Sequence, residues 1–196
     1  MSVQQDENEA FRNGLVALIP QLRAFGRTLS GHAGLGDDLA QEALTKALSN
    51  QQSYTPGTNL KAWVFMILRN QFFGEKRRSW RSTPLDQEVA ENTLVANTNP
   101  TAALELDELR RALMLLPDEQ REALILIGAG GFSYEEVAEM AGCAVGTIKS
   151  RVSRARDRVA LIFAEGSFAS DGGLPSDAMA DILVQLQAAE RPRLAA

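Results

Sequence analysis

Apolar residues recur at alternating steps of three and four along most of this chain, a spacing that places them on one face of an α-helix. The first series predicts a helix from about Asn8 to Ser30, with Pro20 inside it, where the helix would kink or split. Its apolar positions are Phe11, Leu15, Leu18, Leu22, Phe25 and Leu29. No run alternates apolar and polar residues convincingly, as a β-strand would. The sequence therefore predicts an all-α protein.

Glycines and a proline-glycine turn separate the next two predicted helices. The glycine-rich stretch Gly31–Gly36 predicts a break, after which Asp37 or Asp38 would open a helix with acids at its positive end. A turn is predicted at Tyr54–Gly57, followed by a third helix from Asn59 to about Arg78. The expected core side of this third helix consists of Leu60, Trp63, Val64, Ile67 and Leu68.

The stretch Ser82–Thr101 has two prolines, three acids, no cation and no sustained period, which is typical of a flexible linker. It predicts two small helical domains, at residues 8–81 and 102–163, joined by residues 82–101. The second domain would begin with a helix from about Ala102 to Leu116 and continue, after Pro117, with a helix over Asp118–Ile127. Residues 164–196 would form a tail, with a short amphipathic helix at Ser176–Glu190 that either docks on its own domain or binds a partner.

Two helices joined by a short turn are predicted between Ser133 and Phe163. Ser133 and Glu136 have the spacing of a capping box, and Gly142 can adopt the left-handed conformation that ends a helix. A second helix would begin near Val145. Its apolar stripe comprises Val145, Ile148, Val152, Ala155, Val159 and Ile162. The spacing predicts a helix-turn-helix.

The second helix of this pair is strongly basic, although the whole chain carries a net charge of −5. Residues 146–158 contain five basic residues and one acid, and the side opposite the apolar stripe carries Ser150, Ser153 and Arg154, flanked by Lys149 and Arg151. A recognition helix in the major groove requires base-edge donors outward and phosphate-binding cations beside them. The pattern therefore indicates DNA binding. A solvated amphipathic helix is the alternative.

Composition excludes several other classes of function. The only cysteine, Cys143, excludes an internal disulfide framework, and it is expected to be a small core residue. His32 is the only histidine, so no metal site built from His and Cys and no cofactor is expected. No nucleophile–base pair indicates an enzyme. The polar N-terminus is unlike a signal peptide, and no apolar run would span a membrane, so a cytoplasmic protein is expected.

These pieces, in this order, resemble an extracytoplasmic-function, or group IV, sigma factor. DDLAQEALTKAL is similar to the family's region 2.2, and NLKAWVFMILRNQFFGEKRR to its regions 2.3 and 2.4. LPDEQREALIL and FSYEEVAEMAGCAVGTIKSRVSRAR are similar to region 4. The resemblance implies that residues 8–81 bind core RNA polymerase and the −10 element, and that residues 102–163 bind the −35 element.

The resemblance also implies roles for individual residues. Contacts to a GGAAC-like −35 element would come from Lys149, Ser150, Arg151, Ser153 and Arg154. Contacts to the −10 element would come from Asn50, Tyr54, Asn70, Lys76, Arg77 and Arg78, with Tyr54 and the Thr55–Leu60 loop in the pocket for an extruded base. The clamp helices of the polymerase would be bound by Asp37, Asp38, Gln41 and Glu42. Trp63 is expected in the core rather than as a stacking platform.

The stretch Gly128–Phe132, together with VGTIKSRVSRAR, is similar to the general-stress-response branch of the family in alphaproteobacteria. Relatives in this branch are held by a small anti-sigma protein, which is therefore an implied partner. Two alternatives remain: a sigma-like decoy that sequesters an anti-sigma factor, and a two-domain helix-turn-helix repressor. No receiver-domain pattern of the kind that such decoys carry is present. A repressor would not explain the second basic helix, where residues 69–81 contain five cations and one acid.

Overall fold

The computed structural model describes residues 2–79 and 108–165, so the predicted linker and the predicted tail helix lie outside the described residues. All regular secondary structure in these two ranges is helical, as predicted. The helices are α1 (Ser2–Ser30), α2 (Ala33–Ser49), α3 (Leu60–Ser79), α4 (described over residues 108–114), α5 (Asp118–Gly128), α6 (Tyr134–Ala141) and α7 (Val145–Ala164), with a short 3₁₀ turn at Gln51–Ser53. The chain divides into two compact units, Met1–Asn92 and Thr93–Ala196.

Helix α1 runs without interruption through Pro20, so the predicted split is wrong. A proline removes one backbone hydrogen bond. Here its ring lies on the exposed side of the helix, while Leu18 and Leu22 on the other side are buried and hold the neighbouring turns against the core. Packing of the apolar face therefore outweighs the local penalty of the proline.

Helix α2 begins at Ala33, four residues before Asp37, so the predicted start was too late. The N-cap is His32, whose Nδ1 accepts a hydrogen bond from the backbone N–H of Leu35 at 3.2 Å. Most of the glycine-rich stretch is therefore helical rather than a break. The two aspartates lie in the second turn of the helix, and neither of them opens it.

Two glycines let the backbones of α1 and α2 touch. A Cβ atom on Gly26 would lie 2.4 Å from the carbonyl oxygen of Gly36, and one on Gly36 would lie 2.3 Å from the backbone nitrogen of Arg27. Both distances are far below van der Waals contact. The helix penalty of Gly36, about 1 kcal/mol relative to alanine, is therefore offset by a close helix crossing that a larger residue would prevent.

Helix α3 packs on α1 and α2 and closes the core of this unit. Its buried residues include Val64 and Leu68, as predicted, and also Phe65 and Phe72, whereas Leu60, Trp63 and Ile67 are half-buried. Phe65 stacks on Phe25 of α1, with ring centroids 5.1 Å apart. Each fully buried leucine or phenylalanine contributes about 1.5–3 kcal/mol. The three helices thus form one hydrophobic core.

A double arginine clasp also joins α1 to α2. Arg23 donates from Nε and Nη2 to the two carboxylate oxygens of Asp37, at 3.1 and 2.8 Å. Arg27 makes the same pair of bonds at 2.7 and 2.6 Å. These bonds, with that of Arg23 the larger cause, hold the pKa of the Asp37 carboxyl well below its usual range. Asp37 is thus a structural bridge between two helices.

Replacing this carboxylate should lower stability in a pH-dependent way. We expect Asp37→Asn to reduce the Tm by several degrees at pH 7. A neutral amide has only one acceptor oxygen and cannot accept hydrogen bonds from two guanidinium groups as a carboxylate does. Since the folded pKa is lowered, the carboxylate stabilises the native state fully above about pH 4 and loses this effect as the pH falls towards the lowered pKa. The difference between the two proteins should therefore shrink below pH 4 in thermal melts. Asp38→Asn, at the exposed neighbouring position, is the control and should melt like the wild type at pH 7.

In the second unit, α5 and α6 pack on α7. The capping box predicted at Ser133 is present: Ser133 Oγ accepts from the Glu136 N–H at 3.1 Å, and Glu136 Oε2 accepts from the Ser133 N–H at 2.8 Å. Gly142 ends α6 in the left-handed conformation, with φ of 62°. The predicted stripe of α7 is buried at Ile148, Val152, Ala155, Val159 and Ile162, whereas Val145 is half-buried. The predicted helix-turn-helix is confirmed.

Cys143, expected in the core, is half-buried in the turn between α6 and α7. The residues that the structure describes contain no group of His, Cys, Asp or Glu side chains arranged to hold a metal ion. Within the same ranges, no helix is long and apolar enough to cross a membrane.

Candidate nucleic-acid interfaces

The outward side of α7 is the first candidate interface. Because the apolar stripe is buried, Lys149, Ser153 and Arg154 are exposed on the opposite side, within the first three turns of the helix. Base-edge contacts of a recognition helix come from this N-terminal part. A lysine, a hydroxyl and a guanidinium on one exposed surface can donate to base acceptors and to phosphate oxygens.

The other predicted −35 residues, Ser150 and Arg151, are half-buried and make local contacts. Ser150 Oγ donates to the carbonyl of Thr147 at 2.9 Å, and Arg151 Nη1 lies 4.0 Å from the sulfur of Cys143. Lys149 Nζ lies 5.9 Å from the ring centroid of Tyr134 on α6, a cation–π distance. Sequence spacing alone does not reveal this tyrosine, since it belongs to the preceding helix.

The C-terminal half of α3 is the second candidate interface. Asn70 and the predicted cations Lys76, Arg77 and Arg78 are all exposed. Lys76 Nζ lies 5.6 Å from the ring centroid of Phe72, and Arg78 Nε donates to the carbonyl of Gly74 at 3.4 Å. Exposed cations along one end of a helix suit the phosphate backbone.

Asn50 and Tyr54, which were predicted beside Asn70 in a base pocket, make contacts within their own surroundings. The side-chain amide of Asn50 donates to the carbonyl of Lys46 at 2.8 Å and caps the C-terminus of α2. The Tyr54 hydroxyl donates to the carbonyl of Thr58 at 2.7 Å. Its ring packs against Phe11 and Trp63, with centroid distances of 5.5 and 5.4 Å, and those two rings also contact each other at 6.2 Å. The half-buried Trp63 thus belongs to an aromatic cluster of the fold, as expected.

A groove of about 550 Å³ lies beside Tyr54 and Phe11, between α1 and the loop that precedes α3. Its lining includes Tyr54, Pro56 and Leu60 from the predicted loop, but neither Asn50 nor Asn70. It also includes Asn8 and Gln51, and the Gln51 amide donates to Asn8 Oδ1. Nothing in the sequence marks these two residues as neighbours, since 43 positions separate them.

The acidic surface of α2 divides into bridging and exposed residues. Asp37 is held by the arginine clasp, and Glu42 accepts a hydrogen bond from the buried Gln71 of α3 and lies 2.7 Å from Lys46 Nζ. Asp38 and Gln41 are exposed, and the Glu42 side chain is 50% exposed despite these contacts. Two exposed leucines lie at opposite edges of this surface, about 140° apart around the helix axis. Leu35, near the start of α2, is 39% exposed, and Leu48, near its end, is 49% exposed. One of the predicted acids, Asp37, is therefore engaged within the unit, and exposed leucines accompany the other acids on the surface.

Comparison with protein families and sequences assigns both halves of the chain. Residues 106–159 match the family described as Sigma-70, region 4, and residues 15–69 match the Sigma2 domain of PhyR. The ECF RNA polymerase sigma factor EcfG of Rhodopseudomonas palustris is 49% identical over 160 residues, which cover 81% of this chain and 88% of that protein. The ECF RNA polymerase sigma-E factor of Escherichia coli K12 is 30% identical over 172 residues, which cover 80% and 88%.

Comparison with solved structures agrees with these matches. The sigma factor RpoE of Bartonella quintana, solved in complex with the anti-sigma factor NepR, is 42% identical, with a TM-score of 0.70 over 80% of this chain and 98% of that chain. CnrH, solved with the cytosolic domain of CnrY, shares the fold at 22% identity, with a TM-score of 0.59 over 80% and 89% of the two chains. The chain therefore belongs to the family of extracytoplasmic-function sigma factors, and EcfG is among its relatives.

Proposed function

We propose that this protein binds core RNA polymerase and directs it to the promoters of general stress response genes. The observation that carries this proposal is the exposed basic side of α7, presented by an intact helix-turn-helix in a chain that is 49% identical to an EcfG protein. Run-off transcription with core polymerase and genomic promoter fragments tests it. Transcripts that depend on the added protein would support the proposal, and their absence from every fragment would contradict it.

The −35 contact is assigned to the exposed residues of α7. Lys149, Ser153 and Arg154 would reach base edges and phosphates, while Ser150 and Arg151 would contribute from the rim of the same surface, where both are half-buried. Arg154 is the strongest candidate for base readout, because a guanidinium can bind the O6 and N7 atoms of guanine with two hydrogen bonds. Lys149 would act as a point charge, held beside the ring of Tyr134.

Removal of this guanidinium should relax specificity at one base pair. We expect Arg154→Ala to cost about 1–3 kcal/mol of discrimination there, roughly a 5- to 150-fold change in relative affinity. Binding to a panel of duplexes, each mutated at one −35 position, would locate this base pair. Arg158→Ala, an exposed cation one turn further along α7, is the control and should leave the ranking of the duplexes intact. An unchanged ranking with Arg154→Ala would contradict the assignment.

Polymerase docking is assigned to the exposed side of α2. Asp38 and Gln41 would contact the clamp helices directly, and the exposed leucines at positions 35 and 48 would add apolar contact at either end. Interfaces commonly combine such apolar anchors with a polar surround. Asp37 and Glu42 would contribute mainly by holding α2 against α1 and α3, since their carboxylates bind neighbouring helices.

The −10 contact is assigned to α3 and the loop before it. Lys76, Arg77 and Arg78 would hold backbone phosphates, and Asn70 would reach a base edge. Asn50 and Tyr54 stay predictions for this role, with contacts inside the domain as a competing explanation of both side chains.

A small anti-sigma factor is proposed as the regulatory partner. The relative from Bartonella quintana was solved in complex with the anti-sigma factor NepR. Its coordinates cover 80% of this chain, and thus both sigma domains. A protein of that kind would compete with polymerase and promoter for the same surfaces.

The match of residues 15–69 to the Sigma2 domain of PhyR favours one alternative, a sigma-like decoy that binds an anti-sigma factor without binding DNA. The two functions predict different partners in a pull-down. A sigma factor copurifies with core polymerase and binds −35 duplexes, whereas a decoy captures only the anti-sigma factor. The exposed cations of α7 favour the sigma factor, because a decoy has no need of a DNA-binding surface.

A further inference from the structure

A cluster on α3 consists of Arg69, Asn70 and Phe73. Of these, only Asn70 is among the −10 residues that the sequence predicts. The guanidinium carbon of Arg69 lies 4.8 Å from the ring centroid of Phe73. Its Nη1 donates a hydrogen bond to Asn70 Oδ1 at 3.2 Å. One arginine therefore contacts both an aromatic ring and an amide on the helix that carries the proposed −10 contacts.

The cluster is anchored to the core and open to solvent. Phe73 meets the buried Phe72 edge-on, with centroids 5.2 Å apart at 79°. Arg69 and Phe73 are themselves half-buried, whereas Asn70 is exposed. Steps of three and four place Asn70, Phe73 and the exposed Arg77 along one side of the helix. The core therefore holds the Phe73 ring in position, and this ring holds the Arg69 guanidinium in position.

This arrangement has the chemistry of a single-strand contact. Unpaired bases stack on aromatic rings or on the planes of arginine guanidinium groups, beside cations that follow the phosphate backbone. A lysine cannot present such a plane. Because Asn70 Oδ1 already accepts from Arg69, its Nδ2 protons are directed to acceptors outside the pair.

We propose that the Arg69 guanidinium, held over Phe73, is the stacking plane for an unpaired base of the promoter strand. Asn70 then donates to an acceptor on the edge of that base, and Phe73 acts as a positioning residue. This inference rests on the proposed function and deepens it. It adds a stacking plane on α3 to the loop residues of the proposed −10 contact, where the ring of Tyr54 packs against Phe11 and Trp63.

The test uses holoenzyme reconstituted with core polymerase and a single-stranded oligonucleotide that covers the −10 region of a promoter transcribed in the run-off assay. Arg69→Lys keeps the charge and removes the plane, so we expect binding to weaken about fivefold or more. Binding to a −35 duplex should not change. Arg12→Lys, at an exposed arginine of α1 that the proposed −10 contact does not include, is the control and should bind the oligonucleotide like the wild type.

A scan with abasic nucleotides separates stacking from phosphate contact. Removing one particular base should weaken wild-type binding and leave Arg69→Lys unaffected, because the variant has already lost that stacking contact. Phe73→Leu should behave like Arg69→Lys and add nothing in the double variant. Wild-type binding by Arg69→Lys, or equal sensitivity to every abasic position, would overturn the inference. If the wild-type holoenzyme neither initiates nor binds the strand, the proposed function itself fails.

Discussion

Gly36→Ala should unfold much of the first unit or disrupt its helix packing. A Cβ at this position would lie 2.3 Å from the backbone nitrogen of Arg27 and 2.6 Å from the carbonyl carbon of Gly26. Both neighbours are backbone atoms, which cannot move aside as a flexible side chain does. We expect the free energy of unfolding to fall by about 3 kcal/mol or more, at the upper end of overpacking effects. For a domain of this size the Tm should drop by about 10 °C or more.

A glycine on a different helix of the same unit gives the matched control. A Cβ on Gly74 of α3 would meet only the Nη2 atom of Arg78, at 3.8 Å. Gly74→Ala should therefore stabilise the helix by about 0.5–1 kcal/mol, the usual gain from glycine to alanine. Thermal melts followed by circular dichroism would compare the two variants. A Gly36→Ala protein as stable as Gly74→Ala would show that α1 and α2 do not touch through their backbones.

Tyr54→Ala should lower stability and reduce promoter opening together. The substitution removes a ring that packs against Phe11 and Trp63, and a hydroxyl that donates to the carbonyl of Thr58 in the loop before α3. For a half-buried aromatic residue we expect a loss of about 2–3 kcal/mol. Since the damage is to the fold, opening should fall at all promoters alike. Tyr54→Phe keeps the ring and should lose only about 1 kcal/mol, for one hydrogen bond.

Permanganate footprinting of the −10 region, alongside a melting curve for each variant, measures both effects. The footprints should be recorded well below the Tm of the weaker variant. A Tyr54→Ala protein that melts like the wild type and yet fails to open promoters would contradict the packing role. That result would instead assign Tyr54 to base capture.

Helical periodicity predicts the structure of α7 in most detail. The predicted stripe through Ile148, Val152, Ala155 and Val159 is buried, and Lys149 and Arg154 face outward. The capping box at Ser133 and the left-handed Gly142 were also predictable. Each of these features depends on residues within a few positions of one another, so the physics that decides them is local.

The start of α2 is predicted too late because a contact between distant residues decides it. Glycines at positions 34 and 36 disfavour a helix locally, and their sequence indicated a break. The advantage of Gly36 is its contact with Gly26, which lies on another helix. A local pattern cannot report a close approach between two backbones.

The sequence by itself determined that this chain is all-helical, that it carries a helix-turn-helix with an exposed basic side, and which family it resembles. Only the tertiary structure decided which charged and aromatic residues are available for binding. The sequence presents Asp37 as a docking acid, but in the fold Arg23 and Arg27 hold it. It presents Tyr54 as a stacking platform, but in the fold its ring packs against Phe11 and Trp63 in an aromatic cluster. The amino-acid type sets the chemistry of a side chain. Whether that side chain is available for binding depends on the partners that folding brings to it from distant positions in the sequence.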